Sequence, residues 1–174
     1  AMMSAMLRRG LSDPYGSWKI ICTLRRMARI RAAESEGNVA VAITLGYPAA
    51  GWRDALRDSV AESLAAAGLD AVVLVPGANF RRVFGKDFHQ MERPLAVIVP
   101  RQGEAVAVVP HLEMGSFAPI GFTGKVFPWR DEAGYMGAFM AAGEALPQLR
   151  KGARIGVEGQ RMRVFDLFAL QQAL

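Results

Sequence analysis

Cysteine is almost missing from this chain: Cys22 is the single one among 174 residues, and only two histidines, His89 and His111, accompany it. One thiol cannot build an internal disulfide framework or supply the cysteine pairs of a structural zinc site. It suits a reducing compartment, so a cytoplasmic location is expected. No run of eighteen apolar residues occurs, which excludes a membrane-spanning helix. Internal repeats and low-complexity stretches are also absent. The sequence has no glycine-rich dinucleotide fingerprint, no Gly-x-Ser-x-Gly elbow and no His-Glu-x-x-His. The 121–125 segment lacks the spacing of a phosphate loop and the Ser or Thr that should follow its lysine. His111-Leu112-Glu113 echoes the His-x-Glu of zinc deaminases, but one cysteine cannot complete that motif. The chain is therefore expected to be non-catalytic by itself and to hold no metal ion of its own.

What is present is apolar substance and an uneven charge. The 52% apolar composition, with 18 glycines, supports a sizeable core. The net charge of +5 invites a nucleic-acid partner. That charge is concentrated in residues 1–33, where seven basic side chains face one acid, Asp13, a balance of +6. The remaining 141 residues carry 14 basic and 15 acidic side chains, a balance of −1. A body that is to meet phosphate needs its charge on the folded surface, so nucleic acid is not the expected partner. Residues 1–51 read as a basic N-terminal extension. Within it, Ile20, Ile21, Leu24, Met27 and Ala28 recur at helical spacing between arginines. A solvated extension, an amphipathic helix and an organelle address all remain open for it.

From residue 52 the periodicities sharpen. WRDALRDSVAESLAAAG places Leu56, Val60 and Leu64 on one helical face and ends at Gly68. Residues 71–75, AVVLV, are apolar without alternation, the pattern of a strand covered on both faces. Pro76-Gly77-Ala78-Asn79 reads as a turn, and 80–92 reads as a loop beside the strand's end. A hairpin follows, with strands at 95–99 and 105–109 each closed by a proline. Weaker strand pieces are expected at 120–122 and 126–129, a helix at 135–146 before Pro147, a strand at 154–158, and a last helix from Met162. In the 135–146 helix Gly143 continues the apolar face, which suits close packing. The last helix is expected to turn Val164, Leu167, Leu170 and Leu174 inward. It reaches Leu174 with no terminating glycine, from which the chain is expected to continue. These elements make a mixed sheet with helices packed against it.

The polar groups concentrate in the 80–92 loop and just after it, as Asp87, His89, Glu92 and Arg93. An imidazole between carboxylates suits hydrogen bonding or gating, and arginine suits two-pronged recognition of a carboxylate. The competing reading is local: Glu92 and Arg93 hold the loop, and Arg81 and Arg82 form a solvated turn.

Four segments in order, AGLDAVVLVPGANFRRVFG, ERPLAVIVPRQGEAVAVVPHLE, FPWRDEAG and IGVEGQRM, resemble the N-terminal domain of the creatinase, prolidase and aminopeptidase P family. The resemblance covers roughly 53–174 and not the leader. It implies an α/β fold, a mixed sheet flanked by helices on both faces with a ribonuclease H-like motif, over 52–174. It also implies that the chain stops before a last strand and a pita-bread catalytic domain, which in peptidase members holds two divalent metal ions. Relatives read Asn-x-x-Tyr-Leu-Thr/Ser-Gly where this chain has Asn79 to Gly85; Asn79 and Gly85 match, while Arg82, Val83 and Phe84 depart. Counting from Gly85, the resemblance places His89, Arg93 and Asp87 as substrate-binding groups acting on a neighbouring subunit. Arg93 would meet a substrate carboxylate. The implied parent is an Xaa-Pro dipeptidase or aminopeptidase working as a homodimer on proline-containing peptides. A creatinase-like amidinohydrolase and a stand-alone binding module remain as alternatives.

Overall fold

Apolar runs without alternation require a sheet buried on both sides, and the computed structural model shows one. It describes residues 54–149 and 152–174. The expectations for 1–51 lie outside the described residues. Five strands, β1 (Ala71–Leu74), β2 (Ala96–Pro100), β3 (Val106–Pro110), β4 (Lys125–Trp129) and β5 (Ile155–Val157), form one sheet in the order β4-β3-β2-β1-β5. β1 and β2 pair antiparallel, as do the hairpin strands β2 and β3. β5 joins β1 in parallel and β4 joins β3 in parallel, so the sheet is mixed.

Side chains alternate across a strand, and here both sets are buried. Val72, Leu74, Val97, Val99, Ala107 and Val109 face one core. Val73, Val75, Ile98, Val106, Val108 and Val157 face the other. The first face is covered by α1 (Asp54–Ala66) through Val60 and Leu64, and by α2 (Ala78–Phe84) through Phe80, Val83 and Phe84. The second is covered by α4 (Met136–Glu144) through Phe139 and Ala142, and by α5 (Val164–Ala173) through Ala169 and Leu170. A short helix, α3 (Met114–Phe117), lies between 3₁₀ turns on the first face. Helices thus flank the sheet on both sides, as expected. Among the described residues no helix is long and apolar enough to cross a membrane.

Three local expectations need correction. Residues 78–84 are helical, not a turn and loop, because Phe80, Val83 and Phe84 recur at helical spacing and all reach the core. The charged pair Arg81-Arg82 hides that period by falling between its members. Residues 120–122 are not a strand: Ile120 ends a 3₁₀ turn and Gly121 leaves it with φ 66°. On α5 the inward face is Asp166, Ala169 and Leu170, while Val164 is 67% exposed. The register is set at the helix's start, where Arg163 and Asp166 bind each other and turn Val164 outward.

Gly143 meets its expectation. A Cβ built there would stand 2.1 Å from the main-chain oxygen of Ala173, so α4 and α5 touch backbone to backbone. No rotamer change relieves a clash with a carbonyl. Gly143→Ala gains about 1 kcal/mol of helix propensity, against an overpacking cost of about 1–3 kcal/mol. Because the clash is with main chain, the cost lies at the upper end of that range, and the substitution should lower the urea midpoint by an amount equivalent to about 2 kcal/mol. A midpoint at or above that of the unsubstituted chain would contradict the close approach.

Candidate functional site

The candidate site forms where the parallel strands β1 and β5 end side by side. Glu158, the first residue after β5, is only 6% exposed. It accepts a hydrogen bond from the Val75 N–H at 3.3 Å and one from Asn79 Nδ2 at 2.7 Å. The carboxylate therefore ties the end of β5 to the end of β1 and to the first turn of α2. Burial pushes its carboxyl above the ordinary glutamate range, and the bonds from Asn79 and Val75, with the nearby charge of Arg161, pull it part of the way back.

Beside this knot opens a cleft of about 910 Å³, lined by Asn79, Arg81, Arg82, Asp87, His89 and Arg161 among others. Asp87 and His89 reach it because of the residue between them. Phe88 is buried, with its ring centroid 5.5 Å from that of Phe80 and 6.2 Å from that of Phe117. Phe88 turns inward while both its neighbours stay exposed. Asp87 lies 3.9 Å from the guanidinium of Arg81, a loose pair in water.

The segment that follows is tied to the start of α5. Gln90 Nε2 donates to the Arg161 carbonyl at 2.9 Å. The Arg163 guanidinium donates to the carbonyls of Met91 and Arg93. Its Nε and Nη2 also bind Asp166, at 2.7 and 3.0 Å, and the Asp166 side chain is 2% exposed. A two-pronged pair of this kind is geometrically strict, so residues 90–93 have little freedom.

Arg93 lies outside the cleft. Its Nε and Nη2 grip the two oxygens of Asp131, at 2.9 and 2.6 Å, and its Nη1 donates to Glu92 at 2.7 Å. The hydrogen bonds from Arg93 hold the Asp131 carboxyl below the usual carboxylate range, and Asp131 in turn pushes the Arg93 pKa up. Arg93 borders a separate hollow of about 80 Å³ that includes His111, Trp129 and Arg130. In it Arg130 Nη2 lies 3.0 Å from His111 Nε2. The structure thus brings Asp87 and His89 onto one cleft and sets Arg93 on another surface, already engaged by two carboxylates. Among the described residues no three His, Cys, Asp or Glu side chains gather to hold a metal ion.

Residues 57–174 match the family model of the creatinase/prolidase N-terminal domain. The chain belongs to this family. Solved structures agree on the fold. The creatinase/prolidase N-terminal domain of an X-Pro dipeptidase from Streptococcus pyogenes is 20% identical with a TM-score of 0.58, over 70% of this chain and 89% of that one. A prolidase from Thermococcus sibiricus gives 18% and 0.58, over 72% of this chain and 33% of that one. Dipeptidase PepE from Mycobacterium ulcerans gives 26% and 0.56, over 71% and 34%. The chain therefore spans most of an isolated creatinase/prolidase N-terminal domain and about a third of the two longer chains. No curated protein matches it significantly.

Two residues of this creatinase/prolidase N-terminal domain escape sequence reasoning. Glu158 and Arg161 stand some 70 residues from Asp87 and His89, and only the parallel pairing of β5 with β1 brings them together. The available signal was a charged residue closing an otherwise apolar strand.

The burial of Glu158 has a consequence for pH. A carboxyl whose folded pKa is raised contributes stability that is complete below its unfolded pKa and is lost as pH rises through the folded one. Glu158→Gln cannot titrate. In urea melts from about pH 4 to about pH 7.5, the unsubstituted chain should lose stability relative to Glu158→Gln as pH rises above the ordinary glutamate range. A gap independent of pH would show that the carboxyl is not perturbed by folding.

Proposed function

We propose that this domain is the non-catalytic N-terminal part of an Xaa-Pro dipeptidase or Xaa-Pro aminopeptidase. In this reading it makes the homodimer contact and shapes the substrate entrance of a catalytic domain. The observation that carries the reading is the family match over 57–174, together with structural relatives that are an X-Pro dipeptidase and a prolidase. The polar loop supports it, since Asp87 and His89 stand exposed on a segment fixed by Phe88 and Arg163. A group that borders a neighbour's site must be both accessible and held in place. In this reading the two divalent metal ions implied by the resemblance belong to the catalytic domain.

In this reading His89 helps close the entrance, Asp87 orients it, and Arg93 meets the carboxylate of the substrate. The Nη1 of Arg93 is the arm available for that meeting, because it faces the exposed carboxylate of Glu92, which a substrate carboxylate can displace. Asp131 holds the other two nitrogens and so aims the arm.

The test is kinetic and uses the protein that carries both domains. It should hydrolyse Xaa-Pro dipeptides. Arg93→Ala should lower kcat/KM about tenfold or more, the effect of losing one contact worth about 1.4 kcal/mol. Unchanged kinetics in Arg93→Ala would remove that role, and absence of any Xaa-Pro hydrolysis would remove the peptidase reading.

A further inference from the structure

The cleft beside Glu158 carries more positive charge than its surroundings neutralise. Three guanidinium groups, those of Arg81, Arg82 and Arg161, line it together with the His89 imidazole. Asp87 is the one carboxylate among its lining residues, and it sits against Arg81. Glu158 lies beneath, hydrogen-bonded to Val75 and Asn79 and largely closed to water; its charge acts on Arg161, which still leaves three guanidinium groups against two carboxylates. Among the described residues Arg82 has no hydrogen-bond or ion-pair partner. The Arg161 side chain has none either and is laid across Gly77, with its Nε 3.3 Å from the point a Cβ would occupy there. A side chain at Gly77 would push that arginine away by a few tenths of an ångström.

Position and size fit a ligand site. The cleft stands beyond the carboxyl ends of two adjacent parallel strands, where α/β sheets bind their ligands. Its volume of about 910 Å³ falls in the range of small-molecule pockets. Guanidinium groups gathered with too few carboxylates repel one another, and an oxyanion relieves that repulsion while matching their planar donors.

We propose that this cleft binds an oxyanion on its ligand, gripped by Arg82 and Arg161 with His89 at the rim, and that the ligand is a peptide with an acidic side chain. The choice of a peptide rests on the function proposed above. The oxyanion site itself rests only on the cleft. Arg93 is not involved, since it faces the other hollow. The consequence is a substrate entrance that favours Glu or Asp over their amides.

Calorimetric or NMR titration of the 174-residue chain tests this without any turnover. The probes are Glu-Pro amide and Gln-Pro amide, which differ only in one side-chain charge, and inorganic phosphate. Glu-Pro amide should bind about tenfold more tightly than Gln-Pro amide, the usual scale of one charge-assisted contact. The preference should shrink when NaCl rises from about 50 to about 300 mM. Arg82→Gln/Arg161→Gln should abolish it, while Arg82→Lys/Arg161→Lys should keep part of it. All four substitutions fall at exposed positions, and thermal melts verify that each variant is folded.

Equal affinity for the two peptides, or a preference that survives the double glutamine substitution, overturns the site. Phosphate that competes with Glu-Pro amide supports the oxyanion chemistry. Phosphate that binds tenfold more tightly than Glu-Pro amide overturns the peptide as the ligand. Because no hydrolysis is read, a failure here leaves the peptidase reading standing, and a failure of that reading leaves this result standing.

Discussion

The arrangement of this domain depends on one buried carboxylate. Glu158 joins three things that the chain keeps far apart: the end of β5 that carries it, the end of β1 at Val75, and the start of α2 at Asn79. A carboxylate with little access to water is costly unless its lone pairs are used, and here a backbone and a side-chain donor use them. The cleft exists because those three ends are held together around it. The raised pKa of Glu158 is the physical cost of that arrangement.

A second constraint acts on the loop between α2 and β2. Phe88 is one of five phenylalanines in contact on the first face, together with Phe80, Phe84, Phe117 and Phe122. Removing a buried ring of this size typically costs about 3–5 kcal/mol, so the loop cannot leave the sheet cheaply. Arg163 holds its far end through two carbonyls. Polar groups on such a segment combine exposure with fixed position, which a binding surface needs and a solvated loop lacks. Arg93 shows the other side of this economy. Its guanidinium is bound by Asp131 and Glu92, and a ligand must compete with them to reach it.

Much of the fold was legible in the sequence, and the reason is period. Residues 71–75 and the two hairpin runs are apolar without alternation, and both faces of their strands are buried. Gly143 was readable as a packing position because it extends an apolar helical face, and the backbone of Ala173 lies against it. The α2 helix was not legible, since its seven residues show only one complete i, i+3, i+4 set and Arg81-Arg82 interrupts it. On α5, Leu170 and Leu174 meet the core as expected, but hydrophobicity alone also chose Val164, which the Arg163–Asp166 pair turns outward. Of the candidate site, Asp87 and His89 were found together and do share a cleft. Their separation from Arg93 was hidden, because Asp131 comes from a different part of the chain. The charge that dominates the composition lies in residues 1–33, whereas the three arginines of the cleft come from the near-neutral remainder of the sequence.

The claim on which this account turns is that the loop bearing Asp87 and His89 borders the catalytic domain of a neighbouring subunit. A photoreactive residue placed at position 89 of the proposed two-domain protein, followed by irradiation and mass spectrometry, measures this directly. The account predicts a cross-link between subunits, from position 89 to residues around the metal-binding site of the neighbour, suppressed by a bound Xaa-Pro peptide. Cross-links confined to the same domain, or a yield indifferent to peptide, would contradict it.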